Sequence, residues 1–135
     1  MRPNGILETI LYTNELDQAV WFYHEFLGLE LIREPSELAA SFRVDQDHVL
    51  LIFDPTVSDK PGRPVPSHGA RGPGHIAFRI DPEHYDAWIR RMGEFGIAAE
   101  QEIEWSTHTD PGRSIYMRDP TGNSVELITA DIWRG

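Results

Sequence analysis

Residues 16–29 read Leu16-Asp17-Gln18-Ala19-Val20-Trp21-Phe22-Tyr23-His24-Glu25-Phe26-Leu27-Gly28-Leu29, and this stretch decides the fold. Ala19, Phe22, Tyr23 and Phe26 recur at the spacing of one helix face, and Asn14 stands where a cap is wanted. Gly28 suits the left-handed residue that ends a helix. The spacing predicts a helix over 16–27. The residues before it, Ile6-Leu7-Glu8-Thr9-Ile10-Leu11-Tyr12-Thr13, are apolar, β-branched or aromatic and predict a strand over 6–13. Three short strands are expected after it, at 29–34, 39–45 and 48–53.

The same order then returns. A strand is expected at 75–80, and Asp81-Pro82 opens a second helix, since proline is tolerated in a first turn. That helix runs to about 95, with Tyr85, Trp88, Ile89 and Met92 on one face. Glu94-Phe95-Gly96-Ile97 echoes Phe26-Leu27-Gly28-Leu29, and strands follow near 98–105, 113–118 and 123–130. Strand, helix, glycine and three strands, used twice, predict an α+β fold. Two βαβββ modules, about 6–54 and 75–130, form a curved mixed sheet in a single domain over residues 1–135. One such unit is too small to bury both faces of its sheet; two, paired within or between chains, can curl around a cavity. Residues 55–74 carry five prolines and four glycines, which marks a linker or a long functional loop between the modules.

Composition narrows the function. The net charge is −10, which argues against a nucleic-acid backbone or an anionic membrane surface as partner. With no cysteine there is neither a disulfide framework nor a thiolate ligand or nucleophile. No apolar run approaches transmembrane length and no secretory leader opens the chain, so a cytoplasmic protein is expected. No Ser/His/Asp spacing defends a hydrolytic triad, and the glycines at 69, 72 and 74 lack the lysine of a phosphate loop.

Three potential ligands sit on β-type segments among apolar neighbours: Glu8, His75 and Glu126. Burying an unpaired carboxylate is strongly unfavourable, and a shared divalent cation resolves all three at once. Strand alternation supports one face for each set. His75, Ala77 and Arg79 oppose Ile76, Phe78 and Ile80; Ser124, Glu126 and Ile128 oppose Val125 and Leu127. The duplication makes Glu8 and His75 symmetry mates, and Leu51 the mate of Glu126. An imidazole with two carboxylates is a hard, oxygen-rich set suited to Mn²⁺, Mg²⁺, Ni²⁺, Zn²⁺ or Fe²⁺. Each residue also has a plain alternative: a solvated strand carboxylate for Glu8 and Glu126, a satisfied strand histidine for His75.

The chain resembles the vicinal oxygen chelate superfamily, which includes glyoxalases, extradiol dioxygenases, fosfomycin-modifying enzymes and bleomycin-resistance proteins. The resemblance rests on Leu16 to Tyr23 followed by Phe26-Leu27-Gly28-Leu29, on Gly74-His75-Ile76-Ala77-Phe78, and on Tyr116-Met117-Arg118-Asp119-Pro120-Thr121-Gly122-Asn123-Ser124-Val125-Glu126-Leu127. It implies paired βαβββ modules and a metal held by Glu8, His75 and Glu126. It also implies a homodimer in which one chain's Glu8 meets the other's His75 and Glu126. Two positions depart from the family pattern. The first-strand ligand, often histidine, is Glu8, and a fourth-strand ligand of glyoxalases is replaced by Leu51. The expected function is a divalent-metal enzyme acting on a small oxygen-chelating substrate, with lyase or isomerase chemistry of the glyoxalase kind favoured. An extradiol-type dioxygenase and a non-catalytic drug-binding protein are the rivals.

Around that site the sequence offers substrate-binding or acid/base candidates without singling out a catalytic residue. Tyr12 and Tyr116 suit hydrogen-bond donation to an oxyanion. Arg79 and Arg113 suit a carboxylate or phosphate, and Arg79 equally suits neutralising Glu126. Trp105 suits a pocket wall. His68, in the Gly/Pro segment, and His108, at an expected hairpin tip, suit a mobile acid or base.

Overall fold

A computed structural model describes residues 1–134, and its contacts divide the chain into two compact units, Met1–Gly72 and the remainder from Pro73. In the first unit β1 (Glu8–Tyr12) leads into α1 (Leu16–Val20), which continues as a π-helical segment, Trp21–Phe26. The wider turn shows in Leu27 N–H donating to the Phe22 carbonyl, five residues back, at 2.9 Å. It still puts Ala19, Phe22, Tyr23 and Phe26 against the sheet, each 4% exposed or less. Gly28 ends it at φ 79°, a conformation costly for any residue with a Cβ.

The sheet then completes itself with β2 (Glu30–Leu31), β3 (Ala39–Asp45) and β4 (His48–Phe53), in spatial order β1-β4-β3-β2. β1 and β4 are parallel; the other neighbours are antiparallel. Leu11, Ala40, Phe42, Leu50 and Ile52 face the helix as the core. Fully burying one such large side chain stabilises by roughly 1.5–3 kcal/mol. Two strands differ most from the sequence expectation. β1 begins at Glu8, leaving Ile6 and Leu7 exposed. β2 is far shorter than 29–34, because Pro35 cannot donate to a ladder and the Ser36 hydroxyl takes the N–H groups of Leu38 and Ala39.

The Gly/Pro-rich stretch belongs to the first unit through Gly72 and is not a bare connector. It opens with a short helix, α2 (Pro55–Ser58), where the run of prolines and glycines predicts none. Asp54 caps it, its carboxylate accepting from Thr56 N–H at 2.9 Å and the Thr56 hydroxyl at 2.7 Å. Ser58 then closes the loop: its hydroxyl donates to the His68 carbonyl at 2.6 Å, and its own carbonyl accepts from His68 N–H at 3.0 Å.

The second unit repeats the plan. β5 (His75–Arg79) precedes a 3₁₀ turn (Pro82–His84) that runs into α3 (Tyr85–Glu94). β6 (Gln101–Glu104), β7 (Arg113–Arg118) and β8 (Ser124–Ile128) complete a sheet ordered β5-β8-β7-β6. Tyr85 and Met92 of α3, Ile115 and Met117 of β7, and Val125 and Leu127 of β8 form its core, none more than 2% exposed. The two four-stranded mixed sheets have one strand order, as the duplicated pattern predicts. Register makes the equivalence residue by residue. Glu8 pairs with Val49 as His75 pairs with Ser124, and two residues along Leu51 takes the place of Glu126.

Candidate metal centre

The turn between β7 and β8 sets the register of the second sheet. Asp119 takes the N–H groups of Thr121 and Asn123 on one carboxylate oxygen and the Asn123 amide on the other, and Gly122 at φ 100° permits the bend. Asn123, 3% exposed, in turn accepts the Gly74 N–H at 2.7 Å, and the Gly74 carbonyl accepts Ser124 N–H at 2.9 Å. Gly74 is thereby clamped on both sides, which fixes His75 directly opposite Ser124.

On the face away from α3, that register brings His75 and Glu126 together. His75 Nε2 lies 3.3 Å from Glu126 Oε1. Glu126 is only 6% exposed, although the sequence places a carboxylate here between two core residues. Its second oxygen, Oε2, accepts from the Ser114 hydroxyl at 2.6 Å, and Tyr116 also hydrogen-bonds to the carboxylate. Tyr116 stacks on His75 with ring centroids 6.3 Å apart. Burial, and after it the hydrogen bond to Glu126 and that group's negative charge, raise the Tyr116 phenol above its ordinary value, so it stays protonated as a donor.

The imidazole shows what the pair lacks. His75 Nδ1 lies 3.1 Å from the Ser124 carbonyl and 3.2 Å from its hydroxyl. A carbonyl only accepts, so in the tautomer that pairs Nδ1–H with it the Nε2 lone pair of the neutral ring faces the carboxylate; the Ser124 hydroxyl, which can donate to Nδ1, serves the opposite tautomer. In the first tautomer two acceptors 3.3 Å apart are set for a shared cation; with a proton on Nε2 the same contact is a plain hydrogen bond or ion pair. Ligand atoms about 2.1 Å from one ion, at tetrahedral or octahedral angles, lie roughly 3.0–3.4 Å apart. The spacing and the donor chemistry therefore fit a divalent cation, with Nδ1–H donating to a backbone carbonyl as metal-binding histidines commonly do.

The other candidates fall into place around or away from this pair. Arg79 does not neutralise Glu126: its guanidinium lies 3.9 Å from Asp131 and stays largely in water. A cavity of about 390 Å³ runs along β5 from His75 and Glu126 past Ala77 to Arg79, walled by Trp133. Trp105 donates its indole N–H to Ser114 at 2.7 Å, and His108 packs edge-on against that indole at 5.3 Å. Arg113 is directed elsewhere. It projects to the α3 side, over the Tyr85 ring at 3.8 Å and 3.9 Å from Asp86. In the first unit Glu8 is exposed on the edge strand β1, at the register position of His75. At the other end of β1 the Tyr12 hydroxyl meets the His68 ring at 2.7 Å, and Ser58 ties the His68 main chain. Ser114 and Asp131 are not singled out by the sequence; alternation along β7, which puts Ser114 on the face of Tyr116, is the signal that could have found the serine. Among the described residues one group of three His, Asp or Glu side chains gathers its ligand atoms within 4.8 Å, Asp81, Glu83 and His84. All three are exposed at the 3₁₀ turn that precedes α3.

Comparison with known proteins gives the family. The family model of the glyoxalase/bleomycin resistance protein/dioxygenase superfamily matches residues 5–127. The chain belongs to this family, the vicinal oxygen chelate superfamily. A metallothiol transferase, FosB, from Shouchella clausii (strain KSM-K16) is 30% identical over 130 residues, 96% of this chain and 82% of that protein. A crystal structure of lactoylglutathione lyase from Agrobacterium tumefaciens is 36% identical and superposes with a TM-score of 0.88, covering 98% of both chains. The fosfomycin resistance protein FosX from Mesorhizobium loti, 20% identical with a TM-score of 0.68 over 98% of this chain and 97% of that one, shares the fold. The similar enzymes support membership in a superfamily of metalloenzymes. Among the described residues no helix is long and apolar enough to cross a membrane.

Proposed function

We propose that this chain is a divalent-metal enzyme acting on a small substrate that presents one or two oxygens to the ion, with lyase, isomerase or thiol-addition chemistry. The observation that carries the reading is the pairing of His75 Nε2 with Glu126 Oε1 at 3.3 Å, two acceptors with no proton of their own to share in the Nδ1–H tautomer. The relatives add to it: one is a metallothiol transferase and another a lactoylglutathione lyase, names that share a thiol. Glu8 is the proposed third ligand, on the strength of its register equivalence to His75. A homodimer is the assembly in which one copy's Glu8 would meet the other's His75 and Glu126, and the cytoplasm is the expected compartment.

The bound ion would supply Lewis-acid stabilisation of negative charge on a substrate oxygen. The protein's own groups do the rest. His75 and Glu126 would hold the ion, and Gly74, clamped by Asn123 and Ser124, holds His75. The neutral Tyr116 phenol, whose single proton is bonded to Glu126, would have to turn from that carboxylate to donate to a substrate oxygen. Ala77 leaves room for substrate over β5, and Arg79 stands at the far end of the cavity as an orienting cation for an anionic tail. An oxygen-rich ligand set favours redox-inert ions, which ranks lyase and isomerase chemistry above oxygenation.

The test is metal content and metal-dependent turnover of protein purified without an affinity tag. A 2-oxoaldehyde mixed with glutathione is the first substrate, with thioester formation as the readout. Activity that chelator abolishes and Mn²⁺, Ni²⁺ or Zn²⁺ restores supports the reading. Dioxygen uptake on a catechol by iron-loaded protein would replace it with ring cleavage. Tight binding of a small cationic drug that chelator leaves unchanged would replace it with sequestration.

A further inference from the structure

Ser114 is fully buried at 0% exposure, an unusual place for a hydroxyl unless it has both a donor and an acceptor to satisfy it. It has both. The Trp105 indole N–H lies 2.7 Å away, and an indole can only donate, so the Ser114 oxygen accepts there. The Ser114 proton is then free for one direction, toward Glu126 Oε2 at 2.6 Å, where a carboxylate can only accept. The polarity of the chain Trp105 to Ser114 to Glu126 is thus forced by the chemistry of its two ends. His108 braces the indole edge-on at 5.3 Å, and the Trp105 N–H of the main chain is tied to the Gly112 carbonyl at 2.8 Å. With Oε2 engaged, Oε1 is the oxygen presented to His75 Nε2.

We infer that Ser114, oriented by the indole of Trp105, is a positioning residue that fixes Glu126 as a one-oxygen ligand, leaving the remaining coordination positions to substrate. This rests on the metal reading above and deepens it. A carboxylate released from Ser114, with Tyr116 as its remaining partner, would be free to turn both oxygens toward a bound cation and occupy a position that substrate needs. Outer hydrogen-bond partners of metal ligands typically change metal affinity by roughly 10–100-fold when removed.

The experiment titrates Co²⁺ into tag-free full-length protein, following visible absorption, and records the carboxylate infrared stretches of the loaded forms. Wild type, Ser114→Ala and Trp105→Phe are compared, each first checked for folding by circular dichroism. Wild type is expected to show the wide stretch splitting of one-oxygen binding. Ser114→Ala is expected to change Co²⁺ affinity by about 10-fold or more and to narrow the splitting towards two-oxygen binding. Trp105→Phe keeps a ring for His108 but loses the N–H, and is expected to move both readouts in the same direction by less; it carries the test if Ser114→Ala does not fold. Wild type that binds Co²⁺, with variants matching it in affinity and spectrum, overturns the positioning role alone. Wild type that binds no Co²⁺ overturns the metal reading and this inference with it.

Discussion

Replacing Glu126 by glutamine separates a metal ligand from a structural ion-pair partner. The variant keeps the shape of the side chain in a site that is 6% exposed. Its amide oxygen can still accept from Ser114, and its amide N–H₂ can donate to the His75 Nε2 lone pair now facing Glu126 at 3.3 Å. The cost is one charge-assisted hydrogen bond exchanged for a neutral one, about 1 kcal/mol. The gain is relief from burying a carboxylate, which commonly offsets such a loss. The metal-free variant should therefore melt within about 1 kcal/mol of wild type. With metal the two diverge. An ion at one hundred times its dissociation constant stabilises a folded protein by about 2.7 kcal/mol. At roughly 3–5 °C per kcal/mol for a domain of this size, that raises the wild-type Tm by about 8–13 °C. The Glu126→Gln variant should show almost none of that rise. The assay is differential scanning calorimetry with and without Mn²⁺ or Zn²⁺. A variant that retains the full metal-dependent rise, or a metal-free variant that loses several kcal/mol, would refute the reasoning.

Other perturbations test the frame around the site. Gly112→Ala puts a Cβ 2.5 Å from the Thr129 hydroxyl oxygen and 2.8 Å from the Ala130 Cβ, so denaturant melts should show a loss of about 1–3 kcal/mol. Asn123→Ala leaves the Gly74 N–H without its acceptor and should cost about 1–3 kcal/mol, with faster amide exchange at Gly74. Tyr85 is buried, and burial followed by its hydrogen bond to Glu102 pushes its phenol well above the ordinary value. A folded-state value raised in this way gives stability that is complete below about pH 10 and is lost as pH climbs beyond it. Tyr85→Phe should therefore flatten the alkaline fall in stability, seen as a smaller drop in midpoint between pH 9 and pH 11.

Much of the architecture was legible because it depends on periodicity. The Ala19, Phe22, Tyr23 and Phe26 face is the buried face, and β3 and β4 occupy the expected 39–45 and 48–53. What a hydrophobic pattern does not encode is how a helix is wound, so the π-helical turn over Trp21–Phe26 was invisible. α2 was missed because the prolines and glycines around it outweighed the Asp54-Pro55-Thr56 cap signal. At the site, alternation placed His75 and Glu126 on one face, and the duplicated order identified Leu51 as the mate of Glu126. Side-chain partners were beyond it. Arg79 with Asp131, and Arg113 with Tyr85 and Asp86, follow from loop paths and strand faces. The Trp105–Ser114–Glu126 chain needed the pairing of β7 with β8 and the return of the 105–112 loop before it could be drawn.

Crystals grown with Mn²⁺ and measured for anomalous scattering test the central claim most directly. The account predicts one strong peak within coordination distance of both His75 Nε2 and Glu126 Oε1, with Glu8 of the same or a second copy as the third protein ligand. A map with no peak there, or with Mn²⁺ only among Asp81, Glu83 and His84, would contradict it.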